Sequence, residues 1–509
     1  MNARKSSMRT LVWFRGKDLR VHDHAPLADA AGAGDVIPLF VLDPYFFAPA
    51  RARRLPHRMQ FLLESLRELE VSIAARGSRL LIVPGRSVAV VPRLVRAWRV
   101  DRVVGYAWAA PVGRERDRRV AERLRVPFDR YDGETLLAPG TLRSGSGTPY
   151  AVFTAFARAF HRAALIGSPV TALRKLPSLP RDLDANTVSV PTLEELGIAH
   201  NPQLQRGGEQ AARRRLHRFV SGPGRLYHER RDRMDEDGTS RLSCDLKFGT
   251  LSIRMVWSAV SRSLAGAARR AFLNELVWRE FMHSTLVDRP DLMTKPFRTD
   301  FEGFPWRYSL DAGLGSRRLP SAHREGSTPG IADPSLRREA TARAHWRAWV
   351  RGATGYPIVD ASARQLLAEG FVHNRARMIS ASFLTKHLLI DYRRGEAHYM
   401  RYLTDGDWAN NNGGWQWSAG CGADAQPYFR VFNPVTQGVK FDASGAYVRR
   451  WVPEIATLPD AYIHAPWTAP RTVLRDAGIV LGRHYPRPIV DHQSARERFL
   501  ETAASHLRR

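Results

Sequence analysis

The side chains that chemistry needs gather in a few stretches of this chain. Gly238-Thr239-Ser240-Arg241-Leu242-Ser243 offers three hydroxyls, a guanidinium and backbone amides just before an apolar helical pattern, a cradle suited to a diphosphate. A helix N-cap without a ligand carries the same residue types. Asn274 to Phe281 has helical spacing and puts Glu275, Trp278 and Arg279 at i, i+3 and i+4 on one face. A carboxylate, an indole and a guanidinium on one stripe can hydrogen-bond and stack on a planar heterocycle; a surface ion pair beside a half-buried Trp has the same composition. His373-Asn374-Arg375-Ala376-Arg377-Met378 opens another helix, with Asn374 and Met378 at i and i+4. Asp405 to Trp417 is too rich in Asn, Gly and Trp for a routine amphipathic helix. Its glycines permit close approach to a ligand, its amides donate and accept, and Asp405 and Asp407 can receive ligand N–H groups or pair with Arg377. With no His or Glu at ligand spacing, these aspartates are not expected to form a metal site.

The elements that must carry these stretches change in character along the chain. Short apolar runs, Leu11 to Phe14, Val36 to Leu42, Leu80 to Val83 and Val103 to Tyr106, alternate with helical patterns such as Gln60 to Arg76 and Val88 to Trp98. That rhythm predicts βαβ units and a parallel sheet. Arg15-Gly16-Lys17-Asp18 after the first strand is neither a dinucleotide fingerprint nor a phosphate loop. From Ile166 to Gln203 recurrent prolines among polar residues predict an inter-domain connection. Beyond Gly207 the pattern is helical, as in Phe272 to Leu286 and Ala376 to Tyr392, with an aperiodic segment from Leu310 to Ala344 that predicts an exposed loop or insertion. The reading is an α/β N-terminal domain with a Rossmann-like parallel sheet over 1–140, a linker over 141–205 and an all-α domain over 206–509 with an insertion at about 310–344.

Length and charge bound what such a chain does. At 509 residues two or three domains are expected. Lys and Arg number 78 against 50 Asp and Glu, a net charge of +28 that implies a polyanionic partner or an anionic surface, against the alternative of an Arg-rich bias on solvated faces. Two cysteines, Cys244 and Cys421, exclude a disulfide framework, a four-cysteine zinc site and a cysteine-ligated iron–sulfur cluster. No apolar run is long enough to span a bilayer, and the basic start offers only Leu11 to Phe14 before Arg15, so no signal-peptide core is expected. The expectation is a cytoplasmic, nucleoid-associated monomer.

Gly238 to Ser243, Leu273 to Phe281, Trp349 to Asp360 (WVRGATGYPIVD), His373 to Leu384, Asp405 to Trp417 and Pro427 to Phe441 (PYFRVFNPVTQGVKF) together strongly resemble the photolyase and cryptochrome flavoprotein family. Leu11 to Leu27 resembles that family's N-terminal antenna domain, so the resemblance spans nearly the whole chain and is greatest to class I type cyclobutane pyrimidine dimer photolyases. It implies FAD in the helical domain, with Tyr227, Thr239, Ser240, Arg241, Leu242 and Ser243 at its phosphates and ribityl chain. Arg279, Asn374, Arg377, Asp405, Asp407 and Asn411 would line the flavin, Asn411 opposite its N5. Glu275, Trp278, Asn374, Met378 and Trp417 match the lesion pocket, and Arg231, Arg375 and Arg430 match positions holding phosphates of UV-damaged DNA. The implied reaction is light-driven repair: excited, fully reduced FAD gives an electron to a flipped-out dimer, which splits and returns it.

The alternatives are a cryptochrome-type blue-light photoreceptor and a non-catalytic flavin or nucleic-acid binding module. Asn411 is the photolyase-like choice where plant photoreceptors resemble Asp, no signalling tail is expected after Arg496 to Leu507, and the retained lesion-pocket set disfavours a mere binding module. His373-Asn374-Arg375 with Met378 resembles the cyclobutane-dimer enzymes rather than the six-four class with its histidine pair. Phe272 and Phe371 stand where the family has tryptophans near the flavin. In the family's electron-transfer chain Trp415 would lie nearest the flavin, Tyr392 replaces the middle tryptophan, and Trp306 is the match for the distal one, although 43 residues separate it from Trp349. Tyr392 is therefore expected to slow photoreduction unless Trp408, Trp417 or Trp346 provides a bypass. Pro111 to Asp117 resembles deazaflavin-binding relatives, and a second antenna chromophore of folate or deazaflavin type stays open.

Overall fold

The computed structural model describes residues 8–183, 186–310 and 334–507. They form two compact units, the first within Met1–Arg231, Gly238–Pro290 and Arg401–Asn410, the second within Asp232–Asp237, Asp291–Met400 and Asn411–Arg509.

In the first unit, strands β1 (Met8–Phe14), β2 (Gly34–Leu42), β3 (Leu81–Pro84), β4 (Arg102–Tyr106) and β5 (Phe128–Tyr131) make a parallel sheet in the order β3-β2-β1-β4-β5. The strand alternation sorts side chains onto two faces. Val12, Phe14, Val36, Phe40, Ile82 and Val104 enter one core, while Leu11, Trp13, Ile37, Leu39, Val41, Leu81 and Val103 enter another. Near-continuous apolar runs are what a sheet buried on both faces needs. Helices Pro56–Ala74 and Ser87–Ala97 lie where the spacing predicts them, whereas β5, short and half polar, escapes the sequence pattern.

Between Ala163 and Glu209 the described residues form no helix or strand. Helices Glu209–Ser221, Ile253–Ser263 and Gly266–Asp288 then bury Leu216, Phe219, Val256, Val260, Phe272 and Leu276 in a separate core of the same unit.

The second unit is helical. Residues 311–333 of the expected insertion lie outside the described residues, but Pro334–Arg351 is one helix, which corrects the loop reading for Pro334 to Ala344. The segment is Ala- and Arg-rich, so helix propensity is high, but Pro334 to Ala344 holds one large apolar residue, Leu336, and so shows no period in the sequence; Glu339 and Arg343 pair at 2.6 Å, i to i+4. The continuous helix expected over Ala376 to Tyr392 is also interrupted. Helix Asn374–Ser382 runs into a π-helical turn, Phe383–His387, Leu389 takes a left-handed backbone (φ 53°), and Asp391 accepts the Arg393 N–H at 2.9 Å as the next helix, Tyr392–Tyr402, begins. The stretch from Asp405 to Trp417 turns helical at Trp408, in a helix that ends at Ala419 and whose residues from Asn411 onward belong to this unit.

Candidate functional site

In the first unit, the 238–242 loop is tight. A Cβ on Gly238 would lie 2.7 Å from the Arg230 carbonyl oxygen, and Arg241 holds a left-handed backbone (φ 51°). Ser240 Oγ accepts the Leu242 N–H at 3.4 Å, and Ser243 opens the short helix Ser243–Phe248. Leu242 and Tyr227 turn their side chains into the core; the Tyr227 ring meets Phe219 and Phe272 edge-on. Any ligand contact from Leu242 therefore falls to its backbone.

Helix Gly266–Asp288 delivers Glu275, Trp278 and Arg279. The Glu275 carboxylate pairs with Arg231 at 2.7 Å, joining two residues that the family resemblance implies for lesion and phosphate. Trp278 stacks flat on Phe153, centroids 3.6 Å apart and planes 7° apart, so one indole face is covered and the plane is fixed. Arg279 Nη1 donates to the Glu134 carbonyl oxygen at 2.6 Å.

Asp407 belongs to a buried cluster in the same unit. Lys17 Nζ bonds the Glu134 carboxylate and lies 3.3 Å from Asp407, while His283 Nε2 lies 3.4 Å from Glu134 and 3.7 Å from Asp407. Asp407 also accepts from the Asn410 N–H at 3.1 Å. Burial pushes both carboxyls up, but Lys17 and His283 outweigh it and hold them well below the usual range. Burial pulls Lys17 down, and the two carboxylates reverse that to leave it raised. Ligand atoms of Glu134, His283 and Asp407 lie within 4.8 Å of one another, a spacing that suits a cation, and the Lys17 ammonium supplies that charge. Asp405 is buried and acts electrostatically on Arg58.

In the second unit, Asn374 Nδ2 reaches Met378 Sδ at 3.9 Å, confirming the i, i+4 pairing, and Arg377 Nε donates to the Val372 carbonyl oxygen at 2.8 Å. Arg375 pairs with Asp232 at 2.9 Å and lies 4.2 Å over the Phe441 ring. Helix Trp408–Ala419 buries Asn411 and Trp415 and half-buries Trp417. Asn411 Nδ2 donates to the Glu396 carbonyl oxygen at 3.1 Å, which leaves Oδ1 as the acceptor, and Asn412 Nδ2 donates to the Glu396 carboxyl, which burial pushes up to about 7. Gly395 admits Trp415: a Cβ there would meet its ring at 2.2 Å.

The redox-active aromatic residues expected in this unit differ in their surroundings. Trp306 packs on Phe304 at 4.4 Å, and the Tyr392 hydroxyl is buried with no hydrogen-bond partner among the described residues, its pKa pushed far up by burial. Trp415 instead touches Trp349 (6.1 Å), which stacks on Trp346 (5.4 Å, 24°), a half-buried ring. Phe153, Lys17, Glu134 and His283 were not legible as site residues; each acts through a partner remote in sequence, and Arg15 to Asp18 signalled only the lack of a nucleotide motif.

Residues 272–505 match the FAD binding domain of DNA photolyase, and residues 10–178 match the DNA photolyase model. Over 508 residues the chain is 37% identical to the deoxyribodipyrimidine photo-lyase of Agrobacterium fabrum, with 97% of each chain covered. The chain belongs to the DNA photolyase family. Among solved structures, a bacterial class III photolyase from Agrobacterium tumefaciens matches with TM-score 0.86 and 35% identity, covering 100% of each chain. A Synechocystis cryptochrome matches with TM-score 0.83 and 27% identity over 98% of this chain and 100% of the other. An N-terminal α/β region and a helical remainder that binds FAD are thus this family member's architecture. No described helix is long and apolar enough to cross a membrane.

Proposed function

We propose that this chain is a light-driven repair enzyme for cyclobutane pyrimidine dimers in DNA, with FAD as its photoactive cofactor. The observation that carries the reading is Trp278, held flat by Phe153 on the helical face that also bears Glu275, within a chain 37% identical along its length to a deoxyribodipyrimidine photo-lyase. A dimer stacks and pairs poorly in duplex DNA, so flipping it out is inexpensive, and a pre-oriented indole receives it at low entropic cost.

The donor set fits FAD. Thr239, Ser240, Ser243 and Arg241 offer hydroxyls and a cation for a diphosphate in a loop where Gly238 leaves no room for a side chain. Asn411, its amide nitrogen committed to Glu396, presents an acceptor oxygen suited to a flavin N–H. Bound and reduced, FAD supplies under blue light the one electron that splits the dimer and is afterwards returned. The protein orients and balances charge. Arg279 and Arg377 provide positive charge for the reduced cofactor, Asp405 and Asp407 accept its N–H groups, and Glu275 accepts from the base edge once Arg231 exchanges it for a phosphate. By the resemblance, Met378 and Trp417 are lesion-binding residues, and Arg375 and Arg430 phosphate-binding ones. Trp415 belongs to cofactor reduction; the resemblance continues it through Tyr392 and Trp306, and Trp349 and Trp346, the first in contact with Trp415, offer a second route.

The choice of cyclobutane dimers over six-four products rests on the resemblance of His373 to Met378, the class I type on the resemblance of the motifs as a whole, and the domain division at 140 and 206 on the change of pattern there. Action as a monomer on nucleoid DNA goes with the same reading; the two buried cysteines, which form no disulfide, suit a reducing compartment. The test is dark binding of FAD-loaded protein to dimer-containing and intact oligonucleotides. Trp278→Ala is expected to lose about 1 to 3 kcal/mol of lesion preference, roughly one to two orders of magnitude, while keeping FAD. Full preference in that variant refutes the pocket.

A further inference from the structure

Lys386 lies on the π-helical turn Phe383–His387 and is 0% exposed. A π turn carries one residue more than an α turn and so re-aims the side chains around it. Lys386 Nζ donates to the Arg430 carbonyl oxygen at 2.9 Å, 44 residues away in sequence. Arg430 closes a turn of its own, its N–H bonding the Pro427 carbonyl oxygen at 3.0 Å, and that turn exposes Phe429 (60%) and the Arg430 side chain. No carboxylate pairs with Lys386 among the described residues. Its neighbours are the Cys421 thiol, which burial keeps protonated, the Arg430 guanidinium, the His387 imidazole and the Phe499 ring, whose centroid lies 5.8 Å from Nζ. Burial chiefly, with Arg430 adding to it, brings the ammonium down to about 7.

A buried ammonium with no carboxylate beside it costs the fold desolvation that one carbonyl and one ring edge do not offset. An apolar side chain of similar length would fill the space without its desolvation cost. What the lysine provides, and methionine would not, is a donor that pins one carbonyl of an otherwise exposed turn.

We propose that Lys386 is a positioning residue for DNA binding: from inside the protein it holds the Pro427–Arg430 turn so that Arg430 meets a phosphate of the damaged strand. This rests on the assignment of Arg430 to a phosphate in the proposed function. Lysine is held in the interior for recognition at the surface, and folding stability and DNA affinity therefore respond in opposite ways to its removal.

The experiment measures dark binding of FAD-loaded protein to a dimer-containing oligonucleotide across a salt series, beside thermal melting, for wild type, Lys386→Met, Lys386→Arg, Arg430→Ala and the Lys386→Met/Arg430→Ala double variant. Losing one phosphate contact flattens the log–log salt slope by about one unit. Lys386→Met is expected to melt no lower than wild type yet flatten the slope by up to that amount, with no further change once Arg430 is gone. Lys386→Arg, which keeps a donor, is expected to retain the wild-type slope; should Lys386→Met not fold, a flattened slope in a folded Lys386→Arg overturns the proposal. A flattened Arg430→Ala slope beside an unchanged Lys386→Met slope removes the role of Lys386 alone. An unchanged Arg430→Ala slope removes the phosphate assignment and this proposal with it.

Discussion

Lys17 and Lys386 are buried in different units and solve the same electrostatic problem in opposite ways. Lys17 sits between Glu134 and Asp407, and its ammonium is held above the ordinary lysine value. Lys386 has a backbone carbonyl for a partner and falls to about 7. A charge that belongs to the architecture is paired on several sides, because a buried ion is tolerated when counter-charges and hydrogen bonds surround it. A charge kept for positioning is left nearly bare, and its cost is carried by the rest of the fold.

Removing each lysine separates the two designs. Lys17→Met leaves two buried carboxylates without their cation and is expected to destabilise the protein by about 3 to 5 kcal/mol in thermal or denaturant unfolding, against no loss for Lys386→Met. The pH dependence carries a sign. The two depressed carboxyls contribute stability that is present above their ordinary range near 4 and is lost as pH falls through their lowered values; raised Lys17 contributes below about 10.4 and its share is lost as pH rises through its folded value. The variant should show a shallower fall in stability toward acid than wild type. Equal stability of Lys17→Met and wild type would erase the contrast.

A smaller effect concerns another bare group of the second unit. A phenol oxidised near neutral pH must shed its proton, and the Tyr392 hydroxyl has no acceptor among the described residues. Trp415, Trp349 and Trp346 form a contiguous run of indoles that needs no proton transfer. Photoreduction of oxidised FAD is therefore expected to slow in Trp346→Phe and Trp349→Phe, to change little in Tyr392→Phe, and to quicken in Tyr392→Trp, as followed by flavin absorbance under blue light. Slowing in Tyr392→Phe alone would put the electrons back on the Tyr392 branch.

How far these features could be read in the sequence depends on the range of the interactions that make them. The parallel sheet was legible because Leu11 to Phe14 and Val36 to Leu42 bury both faces and so advertise themselves as apolar runs. Glu275 with Trp278, and Asn374 with Met378, were legible because helical spacing alone puts each pair on one face. The partners of those residues were not. Lys17 and Asp407 are 390 positions apart, and Phe153 reaches Trp278 from another helix, so only tertiary packing joins them. The π turn at Phe383–His387 has no propensity signature, and the first turns of Pro334–Arg351 conceal their helix because too few large apolar residues mark a period there.

The most direct measurement of the central claim is repair itself. Purified, FAD-loaded and chemically reduced protein is mixed with an oligonucleotide holding one cyclobutane thymine dimer, and restored thymines are counted after blue light and after an equal time in darkness. Thymines are expected to be restored in light alone, and at a normal rate even in a Tyr392→Phe variant, because splitting consumes no net electron. A protein that binds the dimer and absorbs as a flavin, yet restores no thymine under light, would contradict it and leave the photoreceptor reading in its place.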